Sequence, residues 1–215
     1  MKQSLLVLIL LVTVPRVVSA QWQKRIGINV IPLAIRTIEL TSEFTDHPAY
    51  ALTFNAGYVH ESAFDGLVKS KVYDGVSDRR TSGLFVKAGF RTYLLSLTGK
   101  EPAFNLFVGA QLIGSQYRQR GIVSAIDPGF YVGGAPPDVA VRVSGFLWGT
   151  ALSGGATVRL SQKLAFDVGI QYGLQPTRTD YIGDREFNYQ PGFGISRTGG
   201  TVTSVQGILT VKYRL

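Results

Sequence analysis

The chain ends on Thr201-Val202-Thr203-Ser204-Val205-Gln206-Gly207-Ile208-Leu209-Thr210-Val211-Lys212-Tyr213-Arg214-Leu215, and the reading of this stretch decides the reading of the rest. Val205, Gly207, Leu209, Val211, Tyr213 and Leu215 are apolar or small, while Gln206, Thr210, Lys212 and Arg214 between them are polar or basic. Successive side chains of a strand point to opposite faces, so a period of two predicts a strand with one oily face and one charged face.

The same alternation recurs upstream, whereas no window after the amino-terminal segment has convincing helical periodicity. Residues 25–31 and 33–44 form two segments broken at Pro32, whose missing N–H suits an edge or a turn. Further segments run over 50–58, 84–94, 104–112, 146–160 and 164–174. With the closing stretch this makes about eight, the smallest number in the usual range of transmembrane barrels. Short turns are expected near Asp46, Gly99 and Gln162. Long polar stretches are expected over 61–81, 119–138 and 176–200, with the Pro32 break as a fourth connection on their side. Alternation of short and long connections is the habit of barrels with tight periplasmic turns and long external loops.

Composition narrows the classes. The chain has 215 residues and no cysteine, which fits one domain and removes disulfide frameworks, thiolate metal sites and thiol nucleophiles. With only His47 and His60 besides, a transition-metal site lacks ligands, and no metal or other cofactor is expected. Lys2, the apolar run 5–14 and the small residues Val18-Ser19-Ala20 read as a secretory signal over 1–20, with the barrel over 21–215. The run is too short for a spanning helix. The formal charge of +8 falls to +6 once Lys2 and Arg16 are removed with that segment. The remaining bases are scattered rather than clustered, so attraction to anionic lipid is preferred to nucleic-acid binding.

The apolar faces contain no charge, whereas the opposite faces carry Arg25, Glu39, Glu43, Lys87, Arg91, Arg159, Asp167, Lys212 and Arg214. Oil outside and charge inside describes a membrane barrel. The competing architecture is a lipocalin-like soluble barrel, which would turn the apolar face inward around a ligand and leave these charges in water. Against it stand the signal, the long loops on one side only, and aromatics at strand ends: Tyr50, Phe104 and Tyr213 toward the short turns, Tyr58, Trp148 and Tyr172 toward the other end.

From Ile26 to Leu215 this organisation resembles the small outer-membrane barrels of the OmpA/OmpX and PorT-like type. The resemblance rests on Ile28-Asn29-Val30-Ile31-Pro32, Ile38-Glu39-Leu40 and the ending Val211-Lys212-Tyr213-Arg214-Leu215. It implies residence in the outer membrane, contact with its lipid, and work through external loops or with other envelope proteins. The ending departs from the commonest one by having Leu215 in place of an aromatic.

Three candidate sites follow. Glu39, Arg91, Asp167 and Lys212 are expected at comparable depth in the lumen, where opposite charges at one level pair. With Lys87, Glu43, Arg159 and Arg214 they would form a salt-bridge cluster plugging an interior that side chains just fill. The alternative is a narrow basic channel. Tyr181, Phe187, Tyr189 and Phe193 in the last loop suit a binding surface, or packing over the barrel mouth. His60 and Ser62, two apart on one strand face, resemble the His-x-Ser spacing of lipid A deacylase. No acid is placed to complete a triad, and a non-enzymatic reading is preferred. Glycine pairs such as Gly133-Gly134 do not sit between strand and helix, so they form no nucleotide fingerprint.

Overall fold

The computed structural model describes residues 23–62, 76–96, 103–123, 138–175, 187–197 and 203–215. The expected signal over 1–20 lies outside them. Eight strands run up and down: β1 Gln23–Asn29, β2 Thr37–His47, β3 Tyr50–Ser62, β4 Val76–Tyr93, β5 Phe104–Val123, β6 Val139–Arg159, β7 Leu164–Leu174 and, after a short hairpin, the closing strand Thr203–Arg214. Each pairs antiparallel with its neighbour. The closing strand returns to β1 through Arg25 opposite Arg214 to Asn29 opposite Thr210, so the ring has no free edge. The inserted hairpin is β8 Phe187–Gln190 and β9 Gly194–Arg197, and the closing strand is therefore β10.

The pleat sorts residues as the alternation requires. Outward stand Ile28, Leu40, Phe54, Leu84, Phe146 and Trp148, the last three 58%, 69% and 58% exposed. Inward stand Asn29, Glu39, Glu43, Lys87, Asp167 and Lys212, each buried. A water-soluble protein loses stability by exposing such a belt, whereas a bilayer covers it. From Phe146 to Val158 the belt follows about 40 Å of strand, which stands about 30 Å high at a tilt near 40°.

Several boundaries differ from the sequence reading, each for a local reason. Residues 33–36 are not strand: Ile31–Ile35 forms a 3-10 turn with Pro32 in its first turn and Arg36 left-handed at φ 58°. The first short turn falls at Pro48-Ala49, two residues later than expected, because β2 continues through His47. Strands β4, β5 and β6 continue well beyond the apolar belt, to 18, 20 and 21 residues. There the outward face turns polar, so the stretches read as loop from polarity are partly strand. Residues 176–200, read as loop throughout, contain β8 and β9.

The interior is also less uniformly polar than the alternation implied. Ala51, Tyr93 and Phe107 pack together toward the short turns. Toward the other end Ile113, Tyr117, Leu147 and Ala151 surround Phe193, and Val59 and Phe85 hold Tyr189. The charged residues occupy the layers between.

Candidate ionic lumen

Glu43 on β2 is the hub of the lower layer. Its carboxylate lies 3.0 Å from Arg25 Nη1 on β1, 2.6 Å from Lys212 Nζ on β10 and 3.7 Å from Arg91 Nη1 on β4. Tyr93 Oη is 2.8 Å from both carboxylate oxygens. Asp167 on β7 completes the layer: it pairs with Lys212 at 2.7 Å and with Arg91, and accepts from Thr157 Oγ1 at 2.8 Å. The Arg91 guanidinium lies 4.0 Å over the Phe107 ring, which adds a cation–π contact in a desolvated setting. Three bases and two acids thus meet, a surplus of one positive charge that Tyr93 Oη helps to disperse.

The upper layer is built around Glu39, also on β2. It pairs with Lys87 Nζ at 2.7 Å and accepts from Asn29 Nδ2, Asn55 Nδ2 and Gln206 Nε2 at 3.1, 3.0 and 2.7 Å. Lys87 donates in turn to Gln171 Oε1 and Gln206 Oε1 at 2.9 and 3.2 Å. Every strong acceptor and donor at this level is therefore engaged across the lumen, as buried charges require. Between the layers remains a cavity of about 20 Å³ lined by Glu39, Glu43, Lys87 and Lys212, room for about one or two waters.

The expectation of one cluster at one depth needs correction. Arg91, Asp167 and Lys212 meet, but their acid partner is Glu43, and Glu39 belongs to the second layer with Lys87. Glu39 and Glu43 are four residues apart on one strand, about 13 Å. Counting back from the Pro48-Ala49 turn, Glu43 stands at the depth of Asp167. Arg159 and Arg214 are half-buried and line a cavity of about 30 Å³ at the short-turn end with Lys163 and Ala165. The amides of Asn29, Asn55, Gln171 and Gln206 and the Tyr93 hydroxyl complete the network. Their inward register was readable from the alternation, their partners were not.

The β8–β9 hairpin folds into the mouth. Gln171 Nε2 donates to Gly192 O at 3.1 Å, and Tyr189 Oη lies 3.0 Å from Thr37 Oγ1. Gly192 and Gly194 turn the chain at φ +79° and +102°, a conformation that glycine adopts without strain. Phe193 is fully buried. It needs the missing side chain of Gly149, where a Cβ would lie 2.9 Å from its Cε1 and 2.4 Å from Leu174 O. Tyr189 and Phe193 therefore do not form an external surface; they pack inside. Tyr181 lies outside the described residues, and of Phe187 only the backbone is described. Phe193→Ala is expected to loosen this hairpin. Protease cleavage within 187–197 should accelerate several-fold while the folded barrel survives, as gel mobility before and after boiling would show.

The His60–Ser62 pair loses its geometry. Glu61 is left-handed at φ 42°, and the β3–β4 register shifts between Val59 and Ser62. This bulge removes the alternation on which the shared face rested. Exposed His60 instead contacts Tyr58 Oη at 3.4 Å. Glu61 pairs with Arg120 at 2.9 Å, so the adjacent carboxylate serves a rim ion pair. Among the described residues no group of metal-ligating side chains gathers.

No family model and no curated protein sequence matches the chain. Solved structures do. A major outer membrane protein from Thermus thermophilus superposes with a TM-score of 0.53 at 10% identity, covering 90% of this chain and 98% of that one. The N-terminal β-barrel domain of Pseudomonas aeruginosa OprF gives 0.42 at 8% identity, covering 90% and 96%, and Neisserial surface protein A gives 0.39 at 12%, covering 90% and 93%. The Thermus likeness carries the fold. The chain is an antiparallel up-and-down barrel closed by eight strands, of the architecture found in outer-membrane proteins, and the soluble lipocalin arrangement with its apolar face inward is set aside.

Proposed function

We propose that this chain is a non-enzymatic outer-membrane barrel, exported by its first 20 residues. Its lumen is closed by side chains, and it acts through external loops or as an accessory subunit of an envelope assembly. The observation that carries the reading is the inversion of faces: a continuous exposed apolar belt around buried ion pairs. In water that arrangement exposes oil and buries charge, so both terms oppose folding; in a bilayer the belt is solvated by lipid. The two ionic layers and the Phe193 hairpin support closure, since each spans the lumen from several strands.

Fractionation of cells expressing the full chain, with gel mobility compared before and after boiling, tests the reading. Recovery in the outer membrane with heat-modifiable migration supports it, and recovery from the soluble periplasm overturns it. The purified barrel in a planar bilayer is expected to give no steady conductance. Long-lived channel steps would replace the plug by the narrow basic pore that the surplus of lumen bases otherwise suggests.

A further inference from the structure

The outward face of β4, β5 and β6 carries a basic row above the apolar belt. Arg80, Arg120 and Arg142 are direct cross-strand neighbours, and Arg118 sits two residues nearer the belt, beside Ser82 and Ser144. Like charges placed directly opposite one another oppose strand pairing, so the row favours a partner that neutralises it. The protein supplies part of that. Arg80 pairs with Asp78 at 2.9 Å and Glu61 at 3.5 Å, and Arg120 with the same Glu61 at 2.9 Å. Arg118 and Arg142, both exposed, have no ion pair among the described residues. Asp138, just before the start of β6, stands four residues from Arg142, about 13 Å along the chain.

Immediately below this row the belt is hollow. The cross-strand line Leu40, Ala56, Val86, Gly114, Trp148 has its small members at Ala56 and Gly114. Those two leave a groove of about 550 Å³ walled by Tyr58, Leu84 and Phe146, within the usual volume of ligand clefts. Gln116 at its upper end is two residues from Arg118, about 7 Å along the strand. An apolar trough that opens toward guanidinium groups, two of them without a carboxylate partner among the described residues, matches an amphiphile with a hydrocarbon tail and an anionic head.

We propose that this face binds a lipid with an anionic phosphate head group, its chain in the groove and its phosphate held by Arg118, Arg120 and Arg142. Guanidinium forks match phosphate oxygens two at a time, and charge complementarity selects this occupant over a zwitterionic lipid. The site rests on the membrane residence proposed above.

The test uses the full chain inserted in nanodiscs of phosphatidylcholine. A minor fraction of bisphosphorylated lipid A, the same glycolipid dephosphorylated, or inorganic phosphate is added, and bound molecules are counted by native mass spectrometry. The protein is expected to retain the phosphorylated glycolipid and neither of the other two. The combined Arg118→Gln, Arg120→Gln, Arg142→Gln variant should lose retention about tenfold or more. Gly114→Leu, at a position whose Cβ would make only ordinary contacts, 3.4 Å to Phe146 Cζ and 3.9 Å to Val86 Cγ2, should fill the groove, stay folded and lose it as well. Equal retention of the dephosphorylated form, undiminished retention by both variants, or phosphate bound as well as the lipid would overturn the site while leaving an inserted, heat-modifiable barrel in place. Failure to insert would overturn the membrane reading and the site with it.

Discussion

Glu43→Leu is expected to lower the unfolding free energy of the barrel by about 3–5 kcal/mol, the usual cost of removing one member of a buried ionic group. The lower layer holds Arg25, Arg91 and Lys212 against Glu43 and Asp167. Without Glu43 a single carboxylate faces three cations, and Tyr93 Oη loses both of its acceptors. Arg25 sits at the short-turn end with 12% exposure and can turn toward water, but Lys212 and Arg91 are held deeper. The loss reads as a lower midpoint in urea unfolding from detergent or vesicles, by fluorescence or gel mobility. Glu43→Gln should recover only the Tyr93 hydrogen bond and stay close to the leucine variant. If both variants unfold at the wild-type midpoint, the layer is not dry and the closed lumen falls with it.

How much of this was legible in the sequence depends on which physical signal each residue carried. The alternation in β7, from Leu164 to Leu174, and in β10 fixed both faces and hence the barrel, because burial on one side only imposes a strict period. Asp167, Arg91 and Lys212 were readable as one cluster because each lies within a few residues of a short turn or the chain end. Glu39 was misassigned for the same reason: depth was counted without register, and the two acids of β2 differ only by four residues.

Other features left no periodic trace. Phe85, Phe107 and Ile113 face inward within runs that are apolar on both sides, where alternation has nothing to distinguish. The left-handed Glu61 and Asp78 are set by pairing with neighbouring strands and not by a glycine, so the bulges that separate His60 from Ser62 were invisible. Strands β8 and β9 have four residues each, too few for a pattern. Tyr189 and Phe193, read as a surface or as packing over the mouth, are buried against partners far away in the chain: Val59 and Phe85 hold Tyr189, and Gly149 on β6 leaves the slot for Phe193.

The upper layer separates charge from shape more cleanly, and its expected result is a double-mutant cycle. Glu39→Gln keeps one carbonyl oxygen, which can accept from the Asn29 and Gln206 amides at the Oε2 position, but removes the counter-charge of Lys87, whose Nζ is 2.7 Å away and whose side chain is 1% exposed. An ammonium left there has the Gln171 and Gln206 carbonyls and the Phe85 ring 5.2 Å away but no carboxylate, so the variant should lose about 3 kcal/mol. Lys87→Met, which strands the carboxylate among three amide donors, should lose less, about 1–2 kcal/mol, because hydrogen bonds to an anion offset part of its desolvation. Combining the two removes both charges while preserving volume and the Asn29 and Gln206 contacts. The double variant should then come within about 1 kcal/mol of the wild type, since a buried ion pair against a neutral isostere nearly breaks even. A coupling of about 3 kcal/mol or more in urea unfolding would establish that the pair is desolvated at mid-lumen. Additive losses would mean that water reaches both groups, which is the behaviour of an open channel and not of a plug.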